Sequence, residues 1–392
     1  MARRATYLDA IWSEGKPAIL VDAGDLFGRR TSAERSQTEL LAEVTGTFGY
    51  DAVGVGEQDL NYGLPFLQRA MEEYGIPFTT ANVRDADGNL VAPEYRVVER
   101  GGVRVGIVSV ADPAQRIITM TAQDASFTVD DPATALNRVL PRLREEADTI
   151  VLLAHLGDAG TEQIIREVDG IDLAVVGHSY RPIRTERVIN RTILVNAAHE
   201  GQHVGRVDLL LEPVSGSIQA AQVTVTGLDD SIEDDPEVRQ RMERHNQKIE
   251  EEKQALRASF PRDLGSEDEN FLGDNTCKTC HEEIWRDYAR TGHRGSFNTL
   301  ATRGSADDPR CLVCHTTGYR HVNGYDDGPG SGHLTGVQCE ACHGYGTEHA
   351  RDGRWGARAR QSCLSCHELS NSPHANDGYE FDYDAYWARI AH

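Results

Sequence analysis

Residues 337–349 read V-Q-C-E-A-C-H-G-Y-G-T-E-H. Cys339 and Cys342 stand three apart, His343 follows at once, and His349 closes the segment. Such a segment suits a zinc site, a redox dithiol or a haem attachment site. The remaining cysteines decide among these.

The unit occurs four times: Cys277-Lys-Thr-Cys-His281, Cys311-Leu-Val-Cys-His315, Cys339-Glu-Ala-Cys-His343 and Cys363-Leu-Ser-Cys-His367. All eight cysteines are used in this way, and residues 1–276 contain none. The histidine directly after the second cysteine discriminates, because C-x-x-C-H is the c-type haem attachment signature. Zinc would leave four adjacent histidines without a role. A redox dithiol needs a single pair beside a βαβ pattern. The expected cofactors are therefore four c-type haems. Cys277, Cys280, Cys311, Cys314, Cys339, Cys342, Cys363 and Cys366 form the thioethers, with His281, His315, His343 and His367 as proximal iron ligands.

A low-spin electron-transfer haem takes a second axial ligand, histidine or methionine. No methionine lies beyond Met242, whereas residues 274–392 hold six further histidines: His293, His321, His333, His349, His374 and His392. These six are the distal candidates. His349 follows the short loop Gly344-Tyr-Gly346, which hinders it from wrapping round its own haem. It is expected to ligate a neighbouring haem and so join two of them.

The 392 residues carry a formal net charge of −22, from 62 acidic and 40 basic side chains. That field repels phosphate backbones, so nucleic acid is excluded as a partner and a basic redox protein is favoured. No apolar run approaches the length of a transmembrane span; Thr149–Ala154 reads as a buried strand.

The first 230 residues alternate strand-like and helix-like runs. Ala18–Val21 reads as a strand, 34–47 as a helix, Ala52–Val55 as a strand and 64–74 as a helix. Val103–Val110, Thr149–Ala154 and Ile171–Val176 are further strands, and Val188–Val195 and Val204–Leu211 read as two consecutive ones. The alternation implies an α/β layered domain, with a sheet that ends antiparallel. A polar, helix-forming stretch begins at Pro236, and 259–273 read as an irregular hinge. The expected organisation is a domain over 1–228, a helical linker over 229–273 and a haem domain over 274–392. This last segment has little periodic apolar pattern, so its core is expected to be the haems.

The motifs Thr291-Gly-His293, Cys314-His-Thr-Thr-Gly-Tyr319, Gly336-Val-Gln-Cys-Glu-Ala-Cys-His-Gly344 with His349, and Phe381–His392 resemble the tetrahaem cytochrome c family typified by the electron acceptor of hydroxylamine oxidoreductase. The resemblance covers roughly 274–392. It implies a mostly helical, loop-rich domain with closely stacked, mainly bis-histidine haems and one iron open on its distal side. By motif position it points first to His293 and His349, then to His392, as distal ligands.

Asp22-Ala-Gly-Asp25-Leu-Phe-Gly28, Val55–Gly63, Ala81-Asn-Val83, Leu153-Ala-His155-Leu-Gly157, Val176-Gly-His178-Ser179 and Gly205–Leu209 resemble the 5′-nucleotidase group of calcineurin-like metallophosphoesterases. That likeness covers about residues 1–226 and implies a β-sandwich flanked by helices. It also implies divalent metals that activate water and clamp a phosphoryl group. Asp25 matches the bridging aspartate, and His155 and His178 match two imidazole ligands. Glu57 stands where the family has a ligand asparagine, Gln58 where it has its catalytic histidine, and Tyr180 where a further ligand belongs. Glu57 retains ligating chemistry, whereas Gln58 cannot be a general acid. The domain is thus either a scaffold with a degenerate pocket or the holder of one divalent metal on Asp25, Glu57, His155 and His178. His199 and His203 read as ordinary polar residues.

The family's first strand, with its Asp-x-His pair, falls before Met1. An export leader and that strand are therefore expected upstream, with a periplasmic destination. Two classes of function are open. One is an electron-transfer protein. The other is an enzyme: a metal-dependent phosphohydrolase with a redox module, or a haem enzyme acting on a small nitrogen or sulfur compound.

Overall fold

The computed structural model describes residues 1–27, 32–115, 117, 127–212, 216–260, 262, 264–302, 305–328, 330–353, 362–367, 382 and 384. The distal candidates His374 and His392 lie outside these residues. The chain divides into two compact units, Met1–His245 and Asn246–His392, the division falling inside the helix Pro236–Ser259.

In the N-terminal unit a six-stranded sheet runs in the order Ile183–Ile189, Thr192–Asn196, Leu173–Val176, Thr149–His155, Val103–Ala111, Tyr95–Arg100. Its four central strands are parallel and its two edge strands antiparallel. All seven residues of Thr149–His155 are buried, as a central parallel strand covered on both faces requires. The strand's period of two sorts its side chains between two cores. Ile150, Leu152 and Ala154 join a cluster with the helices Pro132–Glu146 and Gly157–Glu167. Val151 and Leu153 face a second cluster with Ala23 and Ala52. That second cluster also receives Val207, Leu209, Ala221 and Val223 from the hairpin His203–Leu211/Ile218–Gly227. Ala52 belongs to a smaller parallel sheet, Val21–Asp22, Ala52–Gly54 and Phe78–Thr79, and Ala23 directly follows its first strand, so the two sheets meet in this layer.

One expected strand is two. Val188–Val195 is broken at Asn190-Arg191, where Ile189 pairs with Thr192 across a two-residue loop. Both loop residues have positive φ, 47° and 69°, the primed turn that matches strand twist. Asn-Arg lacks the glycine that marks such turns in sequence.

The C-terminal unit is helical with loops. Its helices are short, such as Asp274–Lys278, Pro309–His315 and Cys339–His343, and its core is thin: Phe271, Leu300, Leu312, Tyr319, Tyr325 and Leu334. Residues 264–273, expected as a hinge, are knitted into this unit. Leu264 bridges to His321, Asn323 donates to the carbonyls of Glu267 and Glu269, and Phe271 is buried. A polar, irregular segment gave no periodic signal, because its anchors are backbone hydrogen bonds.

Candidate metal centre and haem-attachment motifs

Each strand that ends at the N-terminal site is parallel and delivers its loop from the carboxyl end. Val21–Asp22 leads to Asp25, Ala52–Gly54 to Glu57, Thr149–His155 ends in His155, and Leu173–Val176 leads to His178. One donor atom from each of these four residues lies within 4.8 Å of the others. Asp25 and His178 have φ of 59° and 53°, left-handed conformations that non-glycine residues hold only when their surroundings enforce them.

The enforcement is visible around Asp59, which is fully buried. Its carboxylate accepts the backbone N–H groups of Asp25 (2.9 Å), Gly56 (2.8 Å) and Phe27 (3.1 Å). Burial, then the neighbouring Asp25 charge, pushes its carboxyl up to about 8, although the amide hydrogen bonds act the other way. Gln58 turns towards Asp25, its backbone N–H donating to Oδ1 at 2.8 Å and its Nε2 to Oδ2 at 2.7 Å. Packing leaves no room at two glycines. A Cβ on Gly56 would lie 2.3 Å from Asp25 Oδ1, and one on Gly177 2.9 Å from His155 Nδ1.

His155 is 1% exposed, and its Nδ1 lies 3.0 Å from the Ala23 carbonyl. In the protonated ring Nδ1–H donates there, and Nε2–H faces Glu57 Oε2 at 2.9 Å and Asp25 Oδ2 at 3.3 Å; on loss of that proton Nε2 is the atom that could ligate a metal. Burial alone would lower its pKa. Hydrogen bonds to Asp25 and Glu57 overcome this and raise it to about 11. His178 Nδ1 is 3.4 Å from Glu57 Oε1, and the two imidazoles meet edge to face at 5.3 Å. Two carboxylates and two imidazoles on a common point form a donor set that fits a divalent transition metal.

Nearby motif residues have other work. Asn82 is buried and pins the end of the strand Val103–Ala111, exchanging hydrogen bonds with Ala111 and donating to the Asp130 carbonyl. Tyr180 is 74% exposed and packs edge-on against His199 at 5.1 Å. Asp59 is the residue whose role the sequence reading missed. Its place in Gly56-Glu-Gln-Asp59 was the available signal, but hydrogen bonding to three amides from two loops is a tertiary property.

In the C-terminal unit each C-x-x-C-H unit lies on a helical turn. The helices Pro309–His315 and Cys339–His343 contain the second and third units. In the first and fourth, the N–H of His281 donates to the Cys277 carbonyl at 3.0 Å, and that of His367 to the Cys363 carbonyl at 2.9 Å. A helical turn brings positions i and i+3 to one side, so both thiols of a unit face the same way. None of the eight cysteines is in a disulfide. Hydrogen bonding joins the thiols of Cys277 and Cys339, raising the first and lowering the second. The Cys314 thiol draws Cys366 down to about 7. The first unit thus adjoins the third, and the second adjoins the fourth.

Two imidazole pairs are brought together. The rings of His281 and His349 are 5.8 Å apart, and those of His293 and His367 are 5.9 Å apart. Two imidazole nitrogens each about 2 Å from one metal set ring centres roughly 6 Å apart. His315 Nδ1 lies 2.8 Å from the Ser296 carbonyl and His333 Nδ1 3.1 Å from that of Gly330, which leaves Nε2 as the ligating atom in each. His321 packs against Phe271 and Tyr345, with no hydrogen-bond partner for its buried Nδ1 among the described residues. Burial lowers the pKa of His293, His321 and His367, favouring the neutral imidazole that binds metal. The thin core, the Nε2 atoms left for ligation and the ring spacings fit covalently attached haem.

Comparison with known proteins separates the two units in the same way. Residues 276–344 match the family model described as cytochrome c554 and c-prime. The trifunctional nucleotide phosphoesterase protein YfkN of Bacillus subtilis (strain 168) is 25% identical over 265 residues, covering 56% of this chain and 18% of that protein. The 2′,3′-cyclic-nucleotide 2′-phosphodiesterase/3′-nucleotidase of Salmonella typhimurium is 25% identical over 262 residues, covering 57% and 40%. The chain therefore spans well under half the length of either relative. Among solved structures, the Thermus thermophilus sulfate thiohydrolase SoxB in complex with glycerol superposes with a TM-score of 0.56. It is 19% identical and covers 62% of this chain and 46% of that one. The N-terminal unit has a metallophosphoesterase/5′-nucleotidase fold, and the cytochrome c554 and c-prime match falls within the C-terminal unit.

Proposed function

We propose that this chain is a periplasmic multihaem c-type cytochrome that passes electrons through four covalently bound haems, joined to a metallophosphoesterase-like unit that holds one divalent metal ion. The observation that carries the reading is the fourfold C-x-x-C-H repeat on helical turns, two of whose histidines face a second imidazole at 5.8 and 5.9 Å. Each pair of cysteines anchors a porphyrin. His281, His315, His343 and His367 would ligate the irons, and His349 beside His281 and His293 beside His367 would supply second imidazoles. Haem supplies one-electron chemistry when bound. The chain's own part is to hold imidazoles neutral and aimed, and to keep the attachment points of the first and third haems, and of the second and fourth, in contact. Covalent attachment of this kind occurs outside the bacterial cytoplasm, which sets the compartment. The net charge of −22 favours a basic redox partner. Redox titration of the purified holoprotein, with its covalent haems counted, tests the reading; fewer than three would overturn it.

A second reading is supported by the cluster Asp25, Glu57, His155 and His178. In it the N-terminal unit is a metal-dependent phosphohydrolase, whose bound ion would polarise a phosphoryl oxygen or a water. His155 and Glu57 would orient that ion, and Gln58 would hold Asp25 in place. Metal analysis together with assay against phosphomonoesters and cyclic nucleotides tests it in the full-length exported protein. Stoichiometric metal without turnover would reduce the unit to a scaffold.

A further inference from the structure

Glu340 is the first residue between the two cysteines of the third C-x-x-C-H unit, and none of the haem chemistry above uses it. It is 1% exposed, rare for a carboxylate in a unit with so small a core. Oε1 accepts the N–H groups of Leu272 at 2.9 Å and Gly346 at 2.8 Å, and Oε2 accepts that of Gly273 at 2.8 Å. Gly273 is the cap of the helix Asp274–Lys278, which leads to His281. Gly346 is the cap of the helix Thr347–Asp352, which contains His349. One carboxylate therefore binds the cap amides of both helices that present the His281/His349 pair. Gly346 meets it closely, since a Cβ there would lie 2.7 Å from Oε1. Thr347 extends the same seam, its hydroxyl accepting the N–H of Asn270 at 2.8 Å and donating to the Asn270 carbonyl at 2.9 Å.

We propose that Glu340 is the positioning residue for the His281/His349 axial pair, setting the separation of the two imidazoles from a third haem unit. This rests on the haem reading above. A carboxylate suits the task because it offers acceptors only, so three converging N–H donors are satisfied by one side chain. Glutamine in its place would turn an amide NH2 towards at least one of those donors. The seam would open at the caps, and His349, on its own short helix, would lose its set distance from His281. The first haem would then lose an axial ligand while remaining covalently attached.

The test uses the full-length holoprotein, with covalent haem counted by mass before anything else is measured. A wild-type protein without haem would remove the underlying reading; the remaining outcomes bear on Glu340 alone. With haem intact, Glu340→Gln is expected to convert one haem from low to high spin by electron paramagnetic resonance and to open one carbon monoxide site in the reduced protein. His349→Ala should give the same signature, and the double variant should gain nothing over His349→Ala. Should Glu340→Gln not accumulate, Gly346→Ala drives a methyl against Oε1 and is read in the same way. A high-spin haem count unchanged from wild type in Glu340→Gln or Gly346→Ala, or one more high-spin haem in the double variant than in His349→Ala, would overturn the proposal. Lowered thermal stability with unchanged spin state would make Glu340 a structural residue only.

Discussion

The imidazoles of His281 and His349 lie 5.8 Å apart with their planes inclined by 22°, although they stand 68 positions apart in the chain. His349 thus meets the histidine of the first C-x-x-C-H unit, while its own segment carries the third. The arrangement suits a link between two haems.

The two facing pairs predict separate spectroscopic consequences. His349→Ala and His293→Ala should each leave the number of covalent haems unchanged and each produce one high-spin haem. The double variant should produce two. Paramagnetic resonance of the oxidised proteins checks this, and a shared high-spin signal from both single variants would contradict the pairing.

The N-terminal cluster predicts one tightly held divalent ion per chain. Glu57→Ala or His155→Ala should abolish stoichiometric binding, because each removes a donor from a set of four. Inductively coupled plasma analysis after dialysis reads the result. Equal metal content in wild type and both variants would place the ion elsewhere.

Chelation should make stability fall with rising pH. Without the ion, Asp25 and Glu57 hold the His155 proton up to about 11, against 6.5 for an unperturbed histidine. A raised folded-state pKa contributes stability that is complete below about 6.5 and is lost as pH climbs towards about 11. Asp59, held up to about 8, acts in the same direction. Thermal unfolding midpoints in chelator should therefore decline from pH 6.5 to 9, and metal uptake should release protons in buffers of differing ionisation enthalpy. A flat profile would contradict the assigned hydrogen bonds.

Gly56→Ala should separate the metal site from the fold. Its methyl would sit 2.3 Å from Asp25 Oδ1 and 2.9 Å from His155 Cε1, so both donors must move. Overpacking of this kind costs about 1–3 kcal/mol, which a unit with three large core clusters should survive. Metal binding should be lost while the circular dichroism spectrum persists; retained binding would show that the cluster tolerates the shift.

The candidate ligands of both units were legible wherever they depend on residue type at short spacing. Four C-x-x-C-H units are local patterns, and a helical turn suffices to aim both thiols of each. Asp25, His155 and His178 stood out because the short motifs around them resemble those of calcineurin-like metallophosphoesterases. Partner choice was not legible, because it is made by long-range packing. Nothing in the order of residues states that His349 faces His281, that His293 faces His367, or that Asp59 and Glu340 each join backbone amides of a distant segment to one of their own. Buried carboxylates look like solvated ones until the fold removes their water, and an Asn-Arg hairpin looks like continuous strand until both residues adopt positive φ. Local sequence sets which atoms can ligate; the close approach of separate loops, with donors and acceptors satisfied across them, sets which atoms meet.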